Sequence, residues 1–297
     1  MNLHFSTSET LWLKILIFFM LLFVVVAIYK QSPQLASKDK EGFVSYASPL
    51  KTTDKYMLRR NQDVYDDFYA DVYHEISTPT SLLKTEIDTI VQQTQPSKEA
   101  SYILDVGAGT GEVINEWINR GYEQVYGIEL SPTLIHKSSH PNQIVASDFM
   151  LRQSFERSTF SHILCLHSTL YEIEQKVAFF KNCYYWLKPG GYFVVHLVEK
   201  PRLNTTQPIK TKKTQIKGLD YKAELEPGVH SESCVLTEHM TDRTTKQQRT
   251  QERTMYTKEL GEIINDAIYC GFIVKGKSAF TSPVPLAKKE YLYFFQK

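Results

Sequence analysis

Hydrophobic positions fall into three regimes along the chain. Residues 11–29 are apolar apart from Lys14, a run near the length that crosses hydrocarbon. Residues 31–57 turn polar and rich in Ser, Lys and Thr, with Pro33 and Pro49 and no sustained apolar period, which predicts a linker. From residue 58 onward the pattern is that of a folded domain. Val64, Phe68, Val72 and Ile76 recur at helical spacing, and after Pro79 a second helix runs through Leu83, Ile87, Ile90 and Val91.

Beyond Pro96 short apolar strands alternate with helices. Strands are predicted at 102–106, 124–129, 143–146, 162–166 and 192–198, the last a continuous apolar run of the kind buried on both faces. Between them come a helix at 112–119 with Val113, Trp117 and Ile118 inward, and one at 175–187 with Val177, Phe180 and Tyr184 inward. Ser131 and Pro132 read as the N-cap and first residue of another helix. This succession predicts a doubly wound, mostly parallel α/β sheet of seven strands. Thr-rich segments near 215–224, 231–240 and 246–256 read as antiparallel strands, forming an insertion over 201–256. A helix at 258–269, with Leu260, Ile264, Ala267 and Ile268 inward, and strands at 272–274 and 291–295 close the domain.

The apolar stretch near the start is apolar on all sides, so it has no face to show water, and it precedes a polar linker. It reads as an uncleaved membrane anchor over residues 1–30, because no clear pair of small residues for cleavage follows it. Lys30, Lys38, Lys40, Lys51, Lys55, Arg59 and Arg60 follow it, whereas few basic residues precede it. The positive-inside tendency therefore places the domain in the cytosol, single-pass. Lys and Arg total 34 against 33 Asp and Glu, which offers no broad basic surface, so no nucleic-acid partner is expected. The four cysteines are widely spaced without metal-ligand spacing, and no metal is expected.

The segment 103–111, Ile-Leu-Asp-Val-Gly-Ala-Gly-Thr-Gly, sets a glycine loop between a buried strand and a helix start, where backbone can approach a ligand closely. A dinucleotide fingerprint would want a glycine where Glu112 stands, and a carboxylate there repels a pyrophosphate. A cationic sulfonium cofactor without phosphates fits better, with Asp105 supplying charge for its ammonium group. Glu129 ends the second strand, where it can accept both hydroxyls of a ribose. Asp148 follows the third strand and can accept from an adenine amino group while Phe149 covers the ring. One such acid alone reads as a solvated loop carboxylate; three at successive strand ends do not.

With these motifs in place, the sequence resembles the class I S-adenosylmethionine-dependent methyltransferases, especially their small-molecule branch. ILDVGAGTG is similar to the family's first motif, VYGIELS to its second-strand acid motif, IVASDF to its adenine motif and WLKPGGYFVV to its fifth-strand turn. The resemblance implies S-adenosyl-L-methionine as cofactor. It assigns the methionine part to Asp105, Gly107, Ala108, Gly109 and Gly111, the ribose to Glu129 with Leu130, and the adenine to Asp148 with Phe149. It also implies that Leu166 and His167 contact the methionyl end, and that Tyr69 and Tyr73 are cofactor-lid aromatics.

The acceptor side is thinner. His167, Ser168, Thr169, Tyr171 and His196 are the available polar groups near the fourth and fifth strands, and His167 is the candidate base. No NPPY-type tetrad, Pro-Cys nucleophile or double-glutamate loop is present, and Cys165 reads as core. The expectation is a membrane-anchored methyltransferase acting on a small molecule or lipid. The alternatives are a silent methyltransferase-fold scaffold and, against the glycine spacing, a nicotinamide oxidoreductase.

Overall fold

A computed structural model describes residues 56–76, 80–199, 209–210, 214–228, 232–280 and 290–297, all within one compact unit. The expected anchor and nearly all of the linker lie outside the described residues. Among the described residues no helix is long and apolar enough to cross a membrane.

In chain order the domain opens with strand β1 (Tyr56–Arg60), helix α1 (Asp67–Ile76) and helix α2 (Thr80–Thr94). Then follow β2 (Tyr102–Val106), α3 (Glu112–Asn119), β3 (Gln124–Glu129), α4 (Pro132–Lys137), β4 (Ile144–Ala146), β5 (Phe160–Cys165), α5 (Thr169–Glu172), α6 (Lys176–Trp186) and β6 (Leu187–Val198). Strands β7 (Ile209–Lys210), β8 (Thr214–Ile216), β9 (Leu219–Pro227), β10 (Ser233–Asp242) and β11 (Gln248–Tyr256) form the insertion. The chain closes with α7 (Leu260–Tyr269), β12 (Ile273–Phe280) and β13 (Glu290–Gln296).

The seven-stranded sheet has the order β12-β13-β6-β5-β2-β3-β4. β6, β5, β2, β3 and β4 run parallel, and β13 and β12 are added antiparallel. Because side chains alternate across a pleat, each strand feeds two cores. Ile103, Val125, Leu164, Val194, Leu292 and Phe294 pack under α2 and α3, while Leu104, Val106, Ile163, Phe193, Val195 and Leu197 pack under α6 and α7. Ser131 accepts the amide of Leu134 as the expected N-cap of α4.

A second, six-stranded sheet follows the path β1-β11-β10-β9-β7, with β8 pairing on β9. β1 pairs parallel with β11, so Tyr56 and Met57, within the expected linker, already belong to a strand. Helix α1 packs on this second sheet, Phe68, Tyr69 and Val72 against Leu219 and Met240. Arg249 on β11 reinforces the contact, donating to Asp66 Oδ2 at 2.8 Å and to the Val64 carbonyl at 3.1 Å.

Three inward faces differ from expectation. In α3 Ile114 is buried beside Val113 and Trp117, while Ile118 is half-buried. In α6 the buried row is Phe179, Phe180, Cys183 and Trp186, while Val177 and Tyr184 are half-buried, because this helix is covered on more than one side. In α7 the buried residues are Ile263 and Ala267; Leu260 and Ile264 are half-buried and Ile268 is exposed.

Candidate active site

The loop after β2 is shaped by three glycines in left-handed backbone, Gly107, Gly109 and Gly111, with φ of +72°, +56° and +82°. A β-carbon on Gly107 would lie 2.6 Å from Thr169 Cγ2, so the close approach of α5 requires glycine there. The amides of Gly107 and Ala108 both donate to the Ile128 carbonyl, which pins the loop to the end of β3.

Glu129, at the end of β3, locks the same loop from its side chain. Its Oε2 accepts the Gly109 amide at 2.9 Å and its Oε1 the Ser131 amide at 2.8 Å. Each oxygen keeps a lone pair for a ribose hydroxyl, so the residue fits the expected ligand. Burial raises its pKa, against the pull of the backbone amides of Ser131, Gly109 and Leu130. Asp105, on the last turn of β2, is 3 % exposed, and burial pushes it up to about 7 with His167 opposing and Glu129 adding to the shift.

A cavity opens above the loop, walled by Tyr73, Asp105, Val106, Gly107, Ala108, Glu112, Val113, Leu166 and His167. Of the expected methionine-side residues, Asp105, Gly107, Ala108, Leu166 and His167 line this space, whereas Gly109 and Gly111 do not. A buried carboxylate at about 7 facing this cavity suits the ammonium of the expected cofactor, whose charge would offset its burial. Tyr73 lies over Gly109, its hydroxyl 3.3 Å from where a β-carbon would sit. Burial first, then the charge of Glu129, pushes its phenol up to about 12, so it stays a neutral donor.

Tyr69 is placed behind this wall rather than on it. Its ring sits edge-on to Tyr65 and Tyr73, at 5.5 and 5.8 Å, and the Arg253 guanidinium lies 5.7 Å from its centre. The adenine-side residues form a separate group. Asp148 Oδ1 accepts the Met150 amide at 2.7 Å, and Phe149 is half-buried with its ring edge-on to Phe179. Asn182 of α6 donates to the Phe149 and Met150 carbonyls and fixes this turn. Leu130 is exposed beside Glu129. Neither Asp148 nor Phe149 lines the cavity that holds Asp105 and His167.

Of the acceptor-side candidates, Tyr171 is structural, since its hydroxyl accepts the Val198 amide at 2.8 Å. His167 follows β5 in left-handed backbone, φ +54°, and its Nε2 is 3.2 Å from Glu86 Oε2. Cys165 is wholly buried in β5, and burial pushes its thiol up.

Several buried ionisable residues here were not foreseen. Arg253 of β11 donates to Glu172 Oε1 at 3.0 Å and to Glu238 Oε2 at 3.1 Å, and Tyr65 donates to Glu172. Gln251 and Tyr221 also donate to Glu238. Glu86 had a readable signal: it stands on the stripe of Leu83, Ile87 and Ile90, a charge on an apolar face. The Thr-rich strands of the insertion gave no such signal, because polar positions there were read as solvent-facing.

Residues 104–195 match the methyltransferase domain family. Among solved structures the fold is similar to the CcbJ methyltransferase from Streptomyces caelestis, at 18 % identity and a TM-score of 0.64, covering 78 % of this chain and 97 % of that one. It is similar to CalS10 with S-adenosylmethionine bound, an amino pentose methyltransferase from Micromonospora echinaspora involved in calicheamicin biosynthesis, at 15 % identity and 0.59, covering 76 % and 95 %. It is also similar to the sugar N-methyltransferase KedS8 from a Streptoalloteichus species, at 14 % and 0.55, covering 79 % and 93 %. A comparison with curated proteins by sequence finds no match.

Proposed function

We propose that this chain, a methyltransferase by its domain family and its class I fold, methylates a small polar molecule at a membrane to which its N-terminal segment holds it. The carrying observation is the glycine loop locked by Glu129, with buried Asp105 and half-buried His167 on the cavity above it. When bound, S-adenosylmethionine supplies an electrophilic methyl group on a sulfonium sulfur. Asp105 would take its ammonium, Glu129 its ribose, and Asp148 with Phe149 its adenine. The surrounding wall of Tyr73, Leu166 and His167 excludes water and aligns the acceptor, which is much of what methyl transfer requires.

A sugar-like or amino-bearing acceptor is supported by what the structural neighbours are described as methylating. A lipid headgroup offers similar chemistry, and the apolar run at 11–29 with its basic flank would bring a cytosol-facing site close to one. Calorimetry with S-adenosylmethionine and with nicotinamide cofactors is the first test, and tight binding of the former alone is expected. Labelled-methyl transfer into lipid, metabolite and protein extracts then identifies the acceptor class. Binding without any transfer would instead support a silent scaffold. For the membrane, a chain lacking residues 1–55 should be soluble and bind cofactor while the full chain partitions with membranes. A full chain that stays in the aqueous fraction sinks the anchor, and a glycan on the Asn204-Thr205-Thr206 sequon reverses the assigned orientation.

A further inference from the structure

On the face of the seven-stranded sheet covered by α2, three apolar rows end in ionisable residues. Along β2, Ile103 gives way on the same face to Asp105; along β6, Val194 gives way to His196; along β13, Leu292 gives way to Glu290. The facing stripe of α2 carries one charge, Glu86, among Leu83, Ile87 and Ile90. His167 follows β5 at this carboxyl edge. Burying a lone carboxylate costs several kcal/mol unless it is paired, so Glu86, 0 % exposed, needs a partner. His167 is that partner, with Nε2 and Oε2 3.2 Å apart. The other oxygen of Glu86 accepts no hydrogen bond among the described residues and lies 3.9 Å from His196 Nδ1; His196 Nε2 is in turn 3.1 Å from Glu290.

A carboxylate can only accept, so in neutral His167 the proton sits on Nε2 and the lone pair on Nδ1. Nδ1 has no hydrogen-bond partner among the described residues, and the side chain, 26 % exposed, lines the cavity. The left-handed backbone at His167 is strained and persists because the surroundings impose it. Such strain is commonly found where a side chain must be aimed.

We propose that Glu86 is a positioning residue that holds His167 with Nδ1 toward the acceptor, and that His167 removes the acceptor's proton, so the acceptor is an alcohol or amine. This rests on the methyltransferase reading of the same site. As the acceptor oxygen or nitrogen bonds to the methyl carbon, the carbon–sulfur bond breaks with its electron pair left on sulfur, and the acceptor's proton passes to Nδ1. The resulting imidazolium is offset by Glu86. A thiolate or carboxylate acceptor, already without its proton, would need none of this.

The groups facing His167 or its cavity are Glu86 from α2, Asp105 from β2, His196 from β6, Glu290 from β13, Tyr73 from α1 and Glu112 from α3. Burial lowers the pKa of His167, but the hydrogen bond to Glu86 and the charges of Glu86, Asp105 and Glu290 outweigh it and hold the ring above its usual value. The base works only when unprotonated, so transfer rises with pH through that raised value.

Titration of the imidazole resonances of the full chain without ligand tests this directly, with the His167 signal identified by its loss in His167→Asn. The ring should titrate above 6.5 and drop by about one pH unit or more in Glu86→Gln, with partial recovery in Glu86→Asp. A value at or below 6.5 in the parent overturns the proposal even if Glu86→Gln fails to fold. So does an unchanged value in a folded Glu86→Gln. Calorimetry on the parent keeps the two readings apart: a parent that fails to bind S-adenosylmethionine would sink the methyltransferase reading while leaving the titration result standing. With carbon-13 methyl label, products from a metabolite extract should carry O-methyl or N-methyl signals. S-methyl or methyl-ester products alone overturn the acceptor class.

Discussion

The two sheets bury ionisable residues in different places and for different ends. In the seven-stranded sheet they gather at the carboxyl edge, at Asp105, Glu129, His196 and Glu290, and Asp105 among them lines a cavity. His162 is the exception, toward the other end of β5, and burial takes its pKa down to about 4, so it stays neutral. In the six-stranded sheet they lie within the strands. Arg249 and Arg253 of β11 and Glu238 of β10 are all buried, and their partners are mostly one another, the neutral Gln251, Asp66 and Glu172. A buried charge is tolerated in both sheets, but only in the first is it left with something to do for a ligand.

The largest test of that contrast is Arg253→Met. It strands Glu238 and Glu172 without their cation, and removing one partner of a buried pair costs about 3 to 5 kcal/mol. Urea unfolding of this variant should show that loss, and Arg253→Met combined with Glu238→Gln and Glu172→Gln should recover much of it. Equal loss in both would mean that packing, not charge, dominates this sheet.

Gly109→Val probes the other sheet. Left-handed backbone at a β-branched residue costs roughly 1 to 3 kcal/mol, and the new side chain meets Tyr73. Binding of S-adenosylmethionine should weaken about 100-fold or more, while the unfolding midpoint moves less than in Arg253→Met. Glu129→Ala and Glu129→Gln come next. Loss of charge-assisted hydrogen bonds worth roughly 1.5 to 3 kcal/mol should weaken binding at least tenfold by calorimetry. Unchanged affinity in both would remove Glu129 as the ribose ligand.

The smallest effect is with pH. Asp105 is neutral below about 7, and a cationic ligand prefers its ionised form, so affinity should fall as pH drops through that value, by less than tenfold from pH 7 to pH 6. Proton release on binding, read from buffers of different ionisation enthalpy, checks the sign. No release near pH 7 would mean that Asp105 is already ionised.

Much of the first sheet was legible from pattern. β2, α3 and β3 have the predicted bounds, because buried parallel strands are continuous apolar runs and the glycine loop marks the turn between them. The residues expected to hold the cofactor sit at strand ends that the pattern locates, and of them Asp105 and His167 line one cavity. β1 was not, since the half-exposed YMLRR has no alternation to separate it from a polar linker and takes its shape from pairing with β11. Nor was the face of α6, where burial on several sides erases the single stripe on which a periodic reading depends. Glu86, Glu172, Glu238 and Arg253 were missed because charges were read as solvent-facing, and their partners lie far away in sequence.

Tyr73 stands over Gly109, yet the helix that carries it is fastened to the six-stranded sheet through Phe68, Val72 and the Arg249–Asp66 pair, with Lys217 adding a bond to the Asp71 carbonyl. Any shift of the helix that carries Tyr73 draws that sheet's attachment with it. Turnover should therefore be ordered. The methyl donor enters while the helix is displaced, the return of Tyr73 encloses it, and the spent donor leaves last. Inhibition by the demethylated donor should then be competitive against the methyl donor and noncompetitive against the acceptor.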